Sequence, residues 1–77
     1  MIEAQDVIDL VRTALPDAVV QVVDRTGTKD HLIVHVVSGV FADMKPMDRH
    51  RTVQRALNAA MADGRIHALE IKTKTPE

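Results

Sequence analysis

The chain contains no cysteine. That removes disulfides, a thiolate nucleophile, a cysteine-ligated zinc site and any iron-sulfur site built from this chain's own sulfur. Tryptophan and tyrosine are missing as well, and Phe41 is the single aromatic residue among 77. The core therefore has to come from valine, isoleucine, leucine, alanine and methionine. No apolar run approaches the ~20 residues of a membrane helix, and the first residues, Met1 to Leu10, are acidic where a secretion signal would start basic. The expectation is a cytoplasmic protein with no membrane partner. Catalytic signatures are missing too: there is no G-x-S-x-G elbow, phosphate-binding glycine loop, H-E-x-x-H or obvious carboxylate pair. The sequence reads as a non-enzyme.

What is present is a globular balance, 45% apolar and 27% charged residues. A chain of this length holds one small core, so residues 1–77 are expected to form a single domain. The net charge is -1 with neutral histidines, and protonation of His31, His35, His50 and His67 would take it to +3. Charge is also unevenly spread. Glu3, Asp6, Asp9, Asp17 and Asp24 face only Arg12 in the first 24 residues, whereas Lys45, Arg49, Arg51 and Arg55 cluster around Asp48.

Hydrophobic spacing supplies the element order. Ala4, Val7, Ile8, Val11, Ala14 and Leu15 recur at helical intervals until Pro16, which predicts a helix over residues 3 to 14. "VVQVVD" (19 to 24) and "HLIVHVV" (31 to 37) are short and β-branched, with a glycine-containing connection between them, and so form a hairpin with a longer loop. Within the second strand Leu32, Val34 and Val36 share the face better suited to the core, opposite His31, Ile33, His35 and Val37. "SGVFADMKP" breaks the pattern, and Pro46 opens a helix that Asp63 and Gly64 stop after Ala62. Its packing stripe is expected to comprise His50, Val53, Leu57 and Ala60, with Arg51, Arg55, Asn58 and Ala62 along another face. "IHALEIK" alternates again and predicts a third strand with Leu69 and Ile71 facing inward.

The order α-β-β-α-β gives an α+β fold with a three-stranded mixed sheet covered by helices on one face. A strand, crossover helix and strand form a right-handed parallel unit, so the third strand should run parallel to the second. The starts of parallel neighbours lie at one edge, which puts His31 and His67 at the same rim. Alternation opposes them: His67 is in phase with Leu69, His31 out of phase with Leu32, so only freedom in the Thr26 to Asp30 loop brings the imidazoles together.

Taken singly, each candidate has an ordinary reading. His67 and His31 read as strand-start residues whose ring nitrogens find local partners. His50 reads as structural, packed and hydrogen-bonded, and His35 as an exposed sheet residue. Lys45, Arg49, Arg51 and Arg55 could contact phosphates, but a solvated basic face accounts for them equally well when the net charge is negative and the only aromatic is Phe41.

Two segments together resemble the BolA family: "VFADMKPMDRHRTV", with a phenylalanine, a short spacer and an R-H-R-x-V helix start, and "RIHALEIKTKTP", with an I-H-A-L…K…T-P ending. The resemblance runs from Val19 to Pro76 and departs at Asp43, where the family commonly has glycine. It implies a class II KH-like fold without the G-x-x-G loop, the three glycines being at 27, 39 and 64. It also implies a monothiol glutaredoxin partner and a [2Fe-2S] cluster shared between a glutaredoxin cysteine, glutathione and this chain, with no cofactor in the isolated chain. The family's principal ligand transfers onto His67, and its loop ligand onto His31, which places the chain in the histidine-loop subgroup. Phe41 is carried as a structural residue. A second role attributed to BolA-like proteins, DNA-binding transcriptional regulation, falls on the basic helix. Without its partner the chain is expected to be a monomer or a weak homodimer.

Overall fold

The computed structural model describes residues 3–24 and 31–76. The loop expected to let His31 approach His67, Thr26 to Asp30, lies outside the described residues. Helix α1 covers Ala4–Ala14 and buries Val7 and Val11. Its start is closed locally, the Glu3 backbone N–H donating to the Asp6 carboxylate at 3.3 Å, which satisfies a donor that no helical carbonyl reaches. Leu15 and Ala18 carry the buried side through the Pro16 turn into strand β1, Val19–Asp24.

Strand β1 pairs antiparallel with β2, His31–Val37, from Val19 opposite Val37 to Asp24 opposite Leu32. Strand β3, Ala68–Lys74, pairs parallel with β2 from His31 opposite Ala68 to Val37 opposite Lys74, so β2 is central. Burial alternates strictly along β2: Leu32, Val34 and Val36 are buried, and the residues between them are only half-buried. A period-2 pattern of this kind means one covered face and one open face, and the covered face is the one expected from the sequence.

A five-residue 3-10 helix, Gly39–Asp43, joins β2 to helix α2. It was not expected, because one and a half turns are too short to show a helical period. Phe41 sits inside it with no solvent exposure and packs with Val53 and Leu57 in one core cluster. Asp43 ends this turn and Met44 returns to extended backbone, its N–H donating to the Phe41 carbonyl.

The turn is fastened across the fold by Asp17. Its carboxylate accepts from the Ser38 hydroxyl at 2.8 Å and from the Gly39 N–H at 2.9 Å, while the same hydroxyl accepts from Val40 N–H at 3.2 Å. Ser38 is the one buried polar residue among those described, and its hydroxyl is satisfied by this network. The Ser38 hydroxyl first, and the Gly39 N–H second, hold the Asp17 carboxyl below its ordinary 3.8. A depressed carboxyl stabilises the fold above its unfolded pKa and loses that contribution as pH falls through the folded value. Asp17→Asn, which turns an amide N–H₂ toward one of the two donors, is therefore expected to lower the urea midpoint at pH 7. The gap to the parent chain should close in titrations carried below pH 3.8. A gap that persists unchanged at the acid end would rule out the ionised latch.

Helix α2, Pro46–Ala62, starts with proline at its first turn and ends on Asp63, followed by Gly64 at φ 82°. Glycine is favoured there because an L side chain in the left-handed region costs about 1 kcal/mol or more. The helix buries Val53, Leu57 and Ala60. His50 does not join them: it is exposed. Stepping back four residues from Val53 leads to Arg49, which is half-buried, so the stripe continues through Arg49 and not through His50.

Candidate functional site

The rim where β2 and β3 begin is shaped by how α2 ends. After Gly64 the chain folds back: the Arg65 N–H and Nε donate to the Asp63 carboxylate, the latter at 2.8 Å, and the Ile66 N–H reaches the Ala60 carbonyl at 3.2 Å. Ile66 is thereby buried at 1% exposure as the anchor of this turn. Strand pairing starts only at Ala68, two residues later than the alternation predicts. His67 occupies the bend between the buried anchor and the strand, exposed to solvent.

That bend corrects the phase argument. His67 is not a strand residue aimed with Leu69 at the helices, and the opposition between it and His31 dissolves because alternation holds only within regular extended chain. His31, half-buried, is the first residue of β2 and the register partner of Ala68, so the residue before Ala68 lies diagonally next to it. Both imidazoles spring from one short edge. His67 takes part in an interaction within the fold.

Neutral imidazole binds iron and is suited to an iron-sulfur cluster in which histidines replace thiolates. Two imidazoles at one edge provide at most two of a [2Fe-2S] cluster's four ligands. Among the described residues no three His, Asp or Glu side chains converge on a metal position. The donor set fits half of a shared site.

The basic residues sort differently. Arg49 is half-buried, with Nε donating to the Met44 carbonyl at 3.1 Å at the entrance to α2. It is tied to the backbone where the helix leaves the 3-10 turn. Lys45, the residue capping α2, is exposed, as are Arg51 and Arg55. The last two are four apart and so share a helix face. His35 lies far from both groups, at the centre of the open sheet face, half-buried between Gln21 on β1 and Lys72 on β3. Neither the Asp17 latch nor the Ile66 anchor was visible in the sequence, the first because its partners are 21 and 22 residues away.

Comparison with known proteins agrees with this architecture. The family model described as BolA-like protein matches residues 11–77. The mouse "BolA-like protein 1" is 48% identical over 50 residues, a stretch that is 65% of this chain and 36% of that protein. A Vibrio cholerae relative named "DNA-binding transcriptional regulator BolA" is 43% identical over 51 residues, 66% of this chain and 47% of the relative. The chain thus spans about a third to a half of these relatives' lengths. The structure of BolA1 from Arabidopsis thaliana superposes with a TM-score of 0.83 at 30% identity, covering 97% of this chain and 95% of the other. No helix among the described residues is long and apolar enough to cross a membrane. By the family match across nearly its whole length and by the shared fold, this chain belongs to the BolA family.

Proposed function

We propose that the chain is a non-enzymatic adaptor that pairs with a monothiol glutaredoxin to coordinate a bridging [2Fe-2S] cluster, in cluster trafficking or in iron and redox sensing. The observation that carries this reading is the β2–β3 register, His31 opposite Ala68, which seats His67 and His31 on one rim with His67 exposed. In this reading His67 is the principal ligand and His31 the second, while the partner and glutathione bring the sulfur that a cysteine-free chain lacks. When bound, such a cluster supplies a one-electron centre whose potential histidine ligation raises. The chain's own part is to present two imidazoles at an edge another protein can reach. Protonation removes the lone pair iron needs, so the pairing should loosen on acidification. The test is co-expression with a monothiol glutaredoxin. A coloured heterodimer supports the reading; a colourless complex that forms equally well without iron would leave only a contact module.

A second reading, transcriptional regulation through DNA, is favoured by the name of the Vibrio cholerae relative and by the exposed pair Arg51 and Arg55 with Lys45. These cations would contact phosphates, so affinity should fall steeply with salt, and removing two of them should lower the salt slope by about 2. Binding to a labelled duplex measured between low and physiological salt, for the parent chain and for Arg51→Ala/Arg55→Ala, decides it. No binding at low salt, or an unchanged slope, counts against the DNA role.

A further inference from the structure

The open face of the sheet carries a two-fold pattern. Registers on both sides of β2 arrange its side chains in three rows: Val19–Val37–Lys74, Gln21–His35–Lys72 and Val23–Ile33–Glu70. The columns over β1 and β2 are apolar at both ends, and the column over β3 is charged, with opposite signs at its ends. Val19 is 69% and Val23 38% exposed, so this is solvent-facing aliphatic surface and not a marginal part of the core. A shallow depression lined by Gln21, His35, Lys72 and Lys74 runs across the middle row.

Turning a second copy about an axis that lies over the middle row, perpendicular to the strands, keeps each column and exchanges the outer rows. Val19 then meets Val23 of the second copy, Val37 meets its Ile33, and Lys74 meets its Glu70, each contact occurring twice. Gln21, His35 and Lys72 meet their own counterparts on the axis. The Lys72 charges are partly neutralised in place, since each ammonium lies 3.4 Å from Glu70 of its own strand. The other face-to-face operator, an axis along the strands, sets Val37 and Ile33 on their own counterparts but lays Val19 over Lys74, Gln21 over Lys72 and Val23 over Glu70, so both outer columns set an apolar or neutral side chain against a charge. In its outer rows the first of these isologous arrangements pairs apolar with apolar and cation with anion, and on the axis Lys72 meets Lys72 with Glu70 of each strand beside it.

We infer that the open sheet face is a self-association surface on which two copies pack sheet to sheet about the Gln21–His35–Lys72 row. The patch is small: three strands ~4.8 Å apart and about 20 Å long give roughly 300 Å², well under the ~800 Å² per partner of a stable complex. The dimer is accordingly weak and concentration-dependent. Its surface is the broad face of the sheet, whereas the cluster ligands proposed above sit at the rim, so each idea stands or falls separately.

Charge exchange tests the arrangement. In sedimentation velocity from about 10 µM to about 1 mM the chain should shift from monomer toward dimer in the upper part of the range. Lys74→Glu alone and Glu70→Lys alone each set like charges against each other and should weaken association roughly ten-fold, and the double exchange should restore it. Far-UV circular dichroism establishes that the variants remain folded. Dilution of a labelled sample should move amide signals of Val19, Val23, Ile33 and Val37 while leaving α1 and α2 still. A chain that stays monomeric at about 1 mM, a double exchange that fails to rescue, or dilution shifts confined to the helices would each overturn the proposal. So would a monomer whose open face responds only to an acidic peptide such as polyglutamate, which would assign the face to a partner of that chemistry.

Discussion

Replacing His67 by alanine is expected to abolish or recast the visible absorption and circular dichroism of the glutaredoxin complex while leaving this chain's fold intact. Both halves follow from the position. The side chain is exposed on a bend outside the strand ladder, and changes at exposed positions usually move stability by no more than about 0.5 kcal/mol. The spectral half rests on the proposed ligand role: removing an imidazole bound to iron changes the cluster's donor set and hence its absorption. His31→Ala should do less, since His31 is half-buried at the head of β2 and part of its effect will be on packing. A third variant separates ligation from contact. His67→Cys retains a donor but exchanges imidazole for thiolate, and should keep the colour while lowering the reduction potential by something on the order of 100 mV. If His67→Ala leaves the spectrum of the complex unaltered, His67 is not a ligand. If the spectrum changes but so does the free chain's thermal unfolding, the interaction His67 makes within the fold is responsible.

Much of this frame was legible because punctuation and period agreed. Pro16, Pro46 and Gly64 bracket the two helices, and strict alternation in "HLIVHVV" identified the covered face of the central strand. The parallel β2–β3 pairing followed from a handedness rule and needed no side-chain detail. What the sequence concealed depends on contacts between distant residues. Ile66 breaks step with Leu69, so an alternating reading assigns it to the open face. In fact it belongs to the end of α2, tied to Ala60, and this moves His67 out of the strand and into the bend. His50 was misassigned because positions three and four residues before Val53 are equally helical, and only the packed structure shows that the chain uses Arg49. The candidate site was thus half legible. Its rim came from topology, the identification of its residues as ligands came from family resemblance, and the bend that exposes His67 came from a helix cap that hydrophobic patterning does not register.

Phe41→Ala is expected to destabilise the domain by about 3 to 5 kcal/mol, the cost of emptying a fully enclosed phenylalanine site. Phe41 has no solvent exposure and heads the largest fully buried side chains, in a core otherwise made of valine, leucine, isoleucine and alanine. Such residues are poorly placed to fill an aromatic-sized void, because β-branched side chains are stiff and the surrounding strands and helices are fixed by their hydrogen bonds. A chain of 77 residues typically has some 4 to 12 kcal/mol of total stability, so the loss consumes much or all of it. The melting temperature should fall by on the order of 20 °C. Phe41→Leu, which retains most of the volume, should cost only about 1 to 2 kcal/mol. With no tryptophan or tyrosine to report by fluorescence, far-UV circular dichroism in urea is the natural probe. A loss under about 1 kcal/mol would mean that the 3-10 helix relaxes to fill the gap. The consequence reaches the basic helix as well. Phe41 anchors the segment whose Met44 carbonyl receives Arg49 and whose exit sets the first turn of α2. A chain that survives the substitution should therefore show exchange-broadened amide signals concentrated at residues 38 to 52, leaving the β2–β3 ladder sharp.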